Sequence, residues 1–126
     1  MGKNVQKSVS VIGGAGHVGL GMCLVLTHAK YKVFGIDINN DANKGIMNGR
    51  IPFVEENGQK FLDEALKHDA LLMTDEYYFI EKSYVVIFVV GTPIDQNLNP
   101  NLEPLTASLK QAGKYFKKGQ LVILRS

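Results

Sequence analysis

SVSVIGGAGHVGLGMCLVLTHAKYKVFGID, residues Ser8 to Asp37, is the stretch that decides the fold. A short β-branched run leads into a glycine cluster, an apolar helical segment, a second β-rich run and an acid at its end. Gly14, Gly16 and Gly19 form G-x-G-x-x-G, and Asp37 follows at about the 20-residue spacing of a dinucleotide-binding βαβ unit. A bare glycine motif is weak evidence. The strand before it, the helix after it and the acid at that distance make this one specific.

Each residue type has a physical reason to stand where it does. Gly14 permits the tight turn out of the first strand, and Gly16 has no side chain to hold a pyrophosphate away from the backbone. Gly19 lets the helix pack closely on the sheet. The helix then opens beside the phosphates with unpaired N–H groups and the positive end of its dipole. Asp37 can accept hydrogen bonds from the adenosine ribose hydroxyls, and its charge repels a 2′-phosphate. The expected cofactor is therefore NAD, not NADP.

The bulk properties narrow the remaining classes. The chain of 126 residues is long enough for one domain with a core, spanning 1–126, and its 45% hydrophobic content is that of globular material. Its net charge is only +2, and Lys114, Lys117 and Lys118 cluster near a helix C-terminus, where the dipole accounts for them. No nucleic-acid partner is expected. No apolar run approaches the roughly 20 residues of a membrane span, and the first is too short for a signal-peptide core. The sole cysteine, Cys23, excludes an internal disulfide framework, so a cytoplasmic protein is expected.

Beyond the opening unit, strands and helices alternate. Strands are expected at Ser8–Ile12, Tyr31–Ile38, Leu71–Thr74, Tyr84–Val90 (the most apolar, read as central) and Leu121–Leu124. Helices are expected from about Gly16 to Lys30 with Val18, Met22, Val25 and Ala29 on one face, and at Asp41–Asn48, stopped by Gly49. Two more are expected at Gln59–His68, with Phe61, Leu62, Ala65 and Leu66 buried, and at Leu105–Phe116. One or two helical turns over Asp75–Lys82 would part-bury Tyr77, Tyr78, Phe79 and Ile80, an aromatic cluster without interleaved basic residues. The expected architecture is α/β: a Rossmann-like, doubly wound parallel sheet of about five strands in a single domain.

Other reactive side chains have plain readings. Cys23 is a packed thiol inside the first helix, His28 and His68 stand at helix C-termini, and His17 matters chiefly through its backbone N–H. Glu55 and Glu56 are adjacent in a loop and point apart into solvent, and no metal site is expected. Gly91-Thr92-Pro93 closes the fourth strand on the edge where open α/β sheets bind ligands, which places Thr92 beside the cofactor.

These segments together resemble the NAD-binding domain of the UDP-glucose/GDP-mannose dehydrogenase family. The resemblance is carried by VIGGAGHVGL at 11–20, GIDIN at 35–39, NGRIPFVEENG at 48–58, VVGTPIDQNLNP at 89–100 and GQLVILRS at 119–126. Within the family it is most similar to enzymes of the UDP-N-acetylmannosamine dehydrogenase type. The resemblance implies oxidation of a UDP-sugar at its 6-hydroxyl to the uronate, through a cysteine thiohemiacetal and thioester, with two NAD reduced. It further implies that Gly14, Gly16, His17, Val18 and Gly19 hold the pyrophosphate and Asp37 the ribose. Ile38, Val90, Gly91 and Thr92 would line the cofactor.

The chain departs from the family pattern at Ala42, where members often carry a basic residue, and at EENG in place of EPGL. Neither Lys44 nor Glu55 is given a role. The nucleophilic cysteine, its lysine, asparagine and aspartate helpers and the sugar-binding domain of the family have no counterpart in this sequence. A fragment of a longer dehydrogenase is expected, inactive alone, with a homodimer only at full length. Two other readings fit the same motif: a stand-alone regulatory NAD-sensing module, and a methyltransferase, for which the third glycine is a poorer fit.

Overall fold

The computed structural model describes residues 7–53, 57–91, 94 and 96–125. Strands form where apolar and β-branched residues are concentrated: β1 (Ser8–Ile12), β2 (Lys32–Ile36), β3 (Leu71–Thr74), β4 (Val85–Phe88) and β5 (Leu121–Leu124). They build one sheet in the order β3-β2-β1-β4-β5, with every neighbouring pair parallel. The middle strand is β1. Strand β4, expected to be central, lies between β1 and β5.

Both faces of the inner strands are covered, so β4 reads as an apolar run, while β1 alternates serine and valine and still buries Ser10. Val9, Val11, Val33, Leu71, Met73 and Ile87 pack with buried residues of α1 (His17–His28), α2 (Asn40–Met47) and α3 (Gly58–Lys67). Ile12, Ile36, Val86 and Phe88 form a second core with Ile80 of a 3₁₀ helix (Tyr77–Lys82) and Ala112 of α4 (Glu103–Gly113). This is the expected doubly wound, Rossmann-like α/β arrangement.

Helix α1 turns a different face inward from the one expected. Its buried residues are Gly19, Leu20, Cys23, Leu24 and Thr27, while Val18 and Val25 are 53% and 60% exposed. Gly19 decides the matter. A Cβ at this position would overlap the Gly13 carbonyl, so the helix is seated with Gly19 and Cys23 against the glycine loop. Val18 and Val25 are thereby turned outward, while Met22 stays partly buried against the core.

The remaining helices begin and end within a few residues of their expected limits. Asn39 caps α2 by accepting a hydrogen bond from Ala42 N at 3.1 Å, and Gly49 leaves it at φ +87°. In α3 the fully buried stripe is narrower than expected: Leu62 and Ala65, with Phe61 and Leu66 only partly covered. Of the aromatic cluster, Ile80 is buried, Phe79 packs against Phe34 at a ring separation of 4.9 Å and Tyr78 is exposed.

Buried polar groups fasten the second face. The Ser10 and Ser83 hydroxyls lie 2.6 Å apart, and the Ser83 hydroxyl also reaches the Phe79 carbonyl. Gln120 donates to the carbonyls of Ile80 (2.6 Å) and Ser83 (2.9 Å) and accepts from Lys117 N. The outer strand β5 leaves Leu121 and Leu124 58% and 59% exposed. Among the described residues no helix is long and apolar enough to cross a membrane.

Candidate dinucleotide-binding site

The sheet reverses its winding direction at β1, where one half of the chain proceeds to β2 and β3 and the other to β4 and β5. Parallel sheets open a crevice at such a switch point, on the carboxyl edge of the strands. The glycine loop after β1 and the segment after β4 border it.

The loop is held from beneath. Gly13 N and Gly14 N both donate to the Ile36 carbonyl, at 2.8 and 3.3 Å, and Val89 N donates to Ile12 O at 2.8 Å. The sharp turn expected at Gly14 falls instead on Gly13, which has φ +89°. A side chain there would run into the Val89 carbonyl. Gly14 serves close packing: its added Cβ would stand 2.9 Å from Gly35 Cα and 3.4 Å from Cys23 Sγ. Gly16 differs from both. A Cβ there would meet only the Gly13 carbonyl at 3.6 Å, so its surface is left for a ligand.

Helix α1 starts from this loop. Gly16 is its cap residue and forms no side-chain capping bond. The opening N–H groups of a helix have no acceptor within the helix, so they and the dipole present positive potential to the crevice. The His17 ring stacks on Phe53 with centroids 4.3 Å apart. That contact was not legible in the sequence, where His17 mattered chiefly through its backbone.

Asp37 closes the other side. Its Oδ2 accepts from Ala15 N and its Oδ1 from Asn39 N, each at 3.0 Å, and Asn43 Nδ2 donates to its carbonyl at 2.9 Å. The carboxylate is thus fixed between the glycine loop and the turn after β2, with acceptor capacity remaining on both oxygens.

These groups line two adjoining hollows. The larger, about 670 Å³, takes in Gly13, Gly16, Asp37, Ile38, Val90 and Gly91, and extends to Asp75, Tyr77 and the Pro104–Gln111 side of α4. The smaller, about 310 Å³, adds His17, Val18, Gly19 and Arg125 to Gly13, Gly16, Val90 and Gly91. The exposure that removes Val18 from the core is what brings it to this hollow. Gly14 is the one described residue of the expected set that lies beneath the crevice. Thr92, Glu55 and Glu56 lie outside the described residues. Asp75, Tyr77, Ser108 and Gln111 line the larger hollow without a motif to mark them, and Gly13 and Arg125 line the hollows from within quoted motifs that gave them no role.

Cys23 is fully buried, and burial, reinforced by the Asp37 charge, pushes its thiol up to about 12. It stays protonated at neutral pH and is packing material, as expected.

A doubly wound sheet, a glycine turn feeding an uncapped helix and an acid after β2 define a dinucleotide-binding domain. Residues 7–126 match the model of the UDP-glucose/GDP-mannose dehydrogenase family, NAD binding domain, and the chain belongs to that family. It is 35% identical over 124 residues to UDP-N-acetyl-D-mannosamine dehydrogenase of Campylobacter jejuni, covering 98% of this chain and 30% of that protein. It is 32% identical over 120 residues to NDP-N-acetyl-D-galactosaminuronic acid dehydrogenase of Ralstonia nicotianae, covering 95% of this chain and 27% of the relative. Among solved structures, UDP-D-ManNAc dehydrogenase of Pyrococcus horikoshii superposes with TM-score 0.86 at 28% identity, over 93% of this chain and 28% of that one. The NDP-N-acetyl-D-galactosaminuronic acid dehydrogenase of Methanosarcina mazei Go1 gives TM-score 0.88 at 23% identity, over 98% and 28%, a likeness of fold. The chain spans less than a third of each relative's length. The family, the fold and the NAD cofactor are those expected from the sequence.

Proposed function

We propose that this chain is the cofactor-binding part of a nucleotide-sugar 6-dehydrogenase whose full-length form converts a UDP-sugar to its UDP-uronate. The observation that carries the reading is the crevice: the glycine loop, the start of α1 and the Asp37 carboxylate border two adjoining hollows that share Gly13, Gly16, Val90 and Gly91. Bound there, NAD supplies the hydride acceptor, and oxidation of a primary alcohol to a carboxylate releases two hydrides, hence two NAD per sugar.

This chain's own residues bind and orient. The α1 N-terminus faces the pyrophosphate at Gly16, His17, Val18 and Gly19. Asp37 accepts from the ribose hydroxyls, and Ile38, Val90, Gly91 and Thr92 border the cofactor. Cys23, buried and protonated, supports a chain without the reaction's nucleophile. Hydride transfer also needs the sugar held at near-attack distance, which a cofactor cradle does not provide.

Incubating the 126-residue chain with NAD and UDP-glucose, UDP-N-acetylglucosamine or UDP-N-acetylmannosamine, while following NADH absorbance, is expected to show no turnover. Sustained NADH formation contradicts the division of labour. The longer protein carrying this chain is expected to reduce two NAD per UDP-sugar, and a ratio of one contradicts the reaction.

A further inference from the structure

The larger hollow continues past Asp37 to a second carboxylate that no motif marks. Asp75 follows β3 on the same carboxyl edge and lines the trough with Asp37, Ile38 and Tyr77, opposite Ser108 and Gln111 of α4. Helix α2 sets its position: Asn40 Nδ2 donates to Asp75 Oδ2 at 2.8 Å. Asn43 Nδ2 in turn donates to Asn40 Oδ1 at 3.2 Å and to the Asp37 carbonyl at 2.9 Å. This relay ties the end of β2 to the end of β3. It occupies one oxygen of Asp75 and leaves the other as an acceptor for a ligand.

The inference rests on the dinucleotide reading above. With the pyrophosphate at the end of β1 and the ribose at the end of β2, the order β3-β2-β1 carries the base onward toward the end of β3. Ile38, 81% exposed at the mouth of the trough, offers an apolar surface to a flat ring. An adenine brings an exocyclic amine with donor protons, and an ionised carboxylate is an acceptor only. A 6-oxopurine would bring a carbonyl oxygen to the same carboxylate, and the two would repel.

We propose that Asp75 is a specificity-determining residue that accepts a hydrogen bond from the exocyclic amine of the base, selecting adenine dinucleotides over 6-oxopurine ones. The test is a calorimetric titration of the chain and of Asp75→Asn and Asp75→Ala with NAD and with nicotinamide hypoxanthine dinucleotide, which differs at that amine. The wild type prefers NAD by about tenfold. Asp75→Asn, able to donate to a 6-oxo group, loses or inverts the preference, and Asp75→Ala brings the ratio of the two affinities to within about twofold of one. Each ratio compares two ligands on one protein, so a partly unfolded variant does not distort it. Equal affinity of the wild type for the two, or an unchanged ratio in Asp75→Asn, overturns the role of Asp75 and leaves the NAD reading standing. A wild type that binds neither dinucleotide overturns both.

Discussion

At the scale of single residues, the glycines separate into those that shape the backbone and those that make room. Gly13 does both, with φ +89° and the Val89 carbonyl where a Cβ would go, whereas Gly49 has a similar φ of +87° and open space around it. Gly13→Ala is therefore expected to cost roughly 2–4 kcal/mol and to abolish NAD binding, while Gly49→Ala costs about 1 kcal/mol and leaves binding intact. Urea unfolding and NAD titration of the two variants check this; equal costs contradict it. The motif points to Gly14 for the turn, because sequence spacing counts glycines without saying which one must take a positive φ. Cys23 makes a pH-dependent contribution. Its folded-state value of about 12 lies above the ordinary 9.0, so the protonated thiol's contribution is complete below 9.0 and is lost as pH rises toward 12. The stability gap between wild type and Cys23→Ala is expected to shrink across that window. A gap that widens there contradicts the burial account.

At the scale of elements, strands were more legible than helix faces. Strands β3 and β5 fall at their expected limits because each is a short apolar run bounded by polar residues, and β5 does so although its side chains are exposed. Helix α1 carries two apolar stripes side by side, and periodicity cannot choose between them. The choice is made by the missing side chain of Gly19 against the glycine loop, a tertiary contact. The same limit hid Gln120, an ordinary polar residue in the sequence, which in the fold joins the start of β5 to the carbonyls of Ile80 and Ser83. Gln120→Ala leaves those carbonyls without that donor and is expected to cost about 1–3 kcal/mol. Amide exchange should quicken at Leu121–Leu124 and stay slow in β1, which is paired on both sides. Exchange that quickens equally in both strands contradicts this local role.

At the scale of the whole molecule, the fold gathers one trough from the ends of its strands. Its glycine and acid framework was legible because the βαβ pattern puts those residue types at that spacing. Its far wall was not. Asp75, Tyr77, Ser108 and Gln111 come from segments far from the glycine motif and meet only when the sheet is assembled. This trough is expected to bind NAD, with the Asp37 carboxylate refusing a 2′-phosphate. The larger hollow has two carboxylates, Asp37 and Asp75, and neither Lys nor Arg among its described lining residues. Calorimetric titration of the chain with NAD and with NADP decides this. One NAD binds per chain, with NADP weaker by at least about tenfold; NADP binding as tightly as NAD, or no binding of either, contradicts the account.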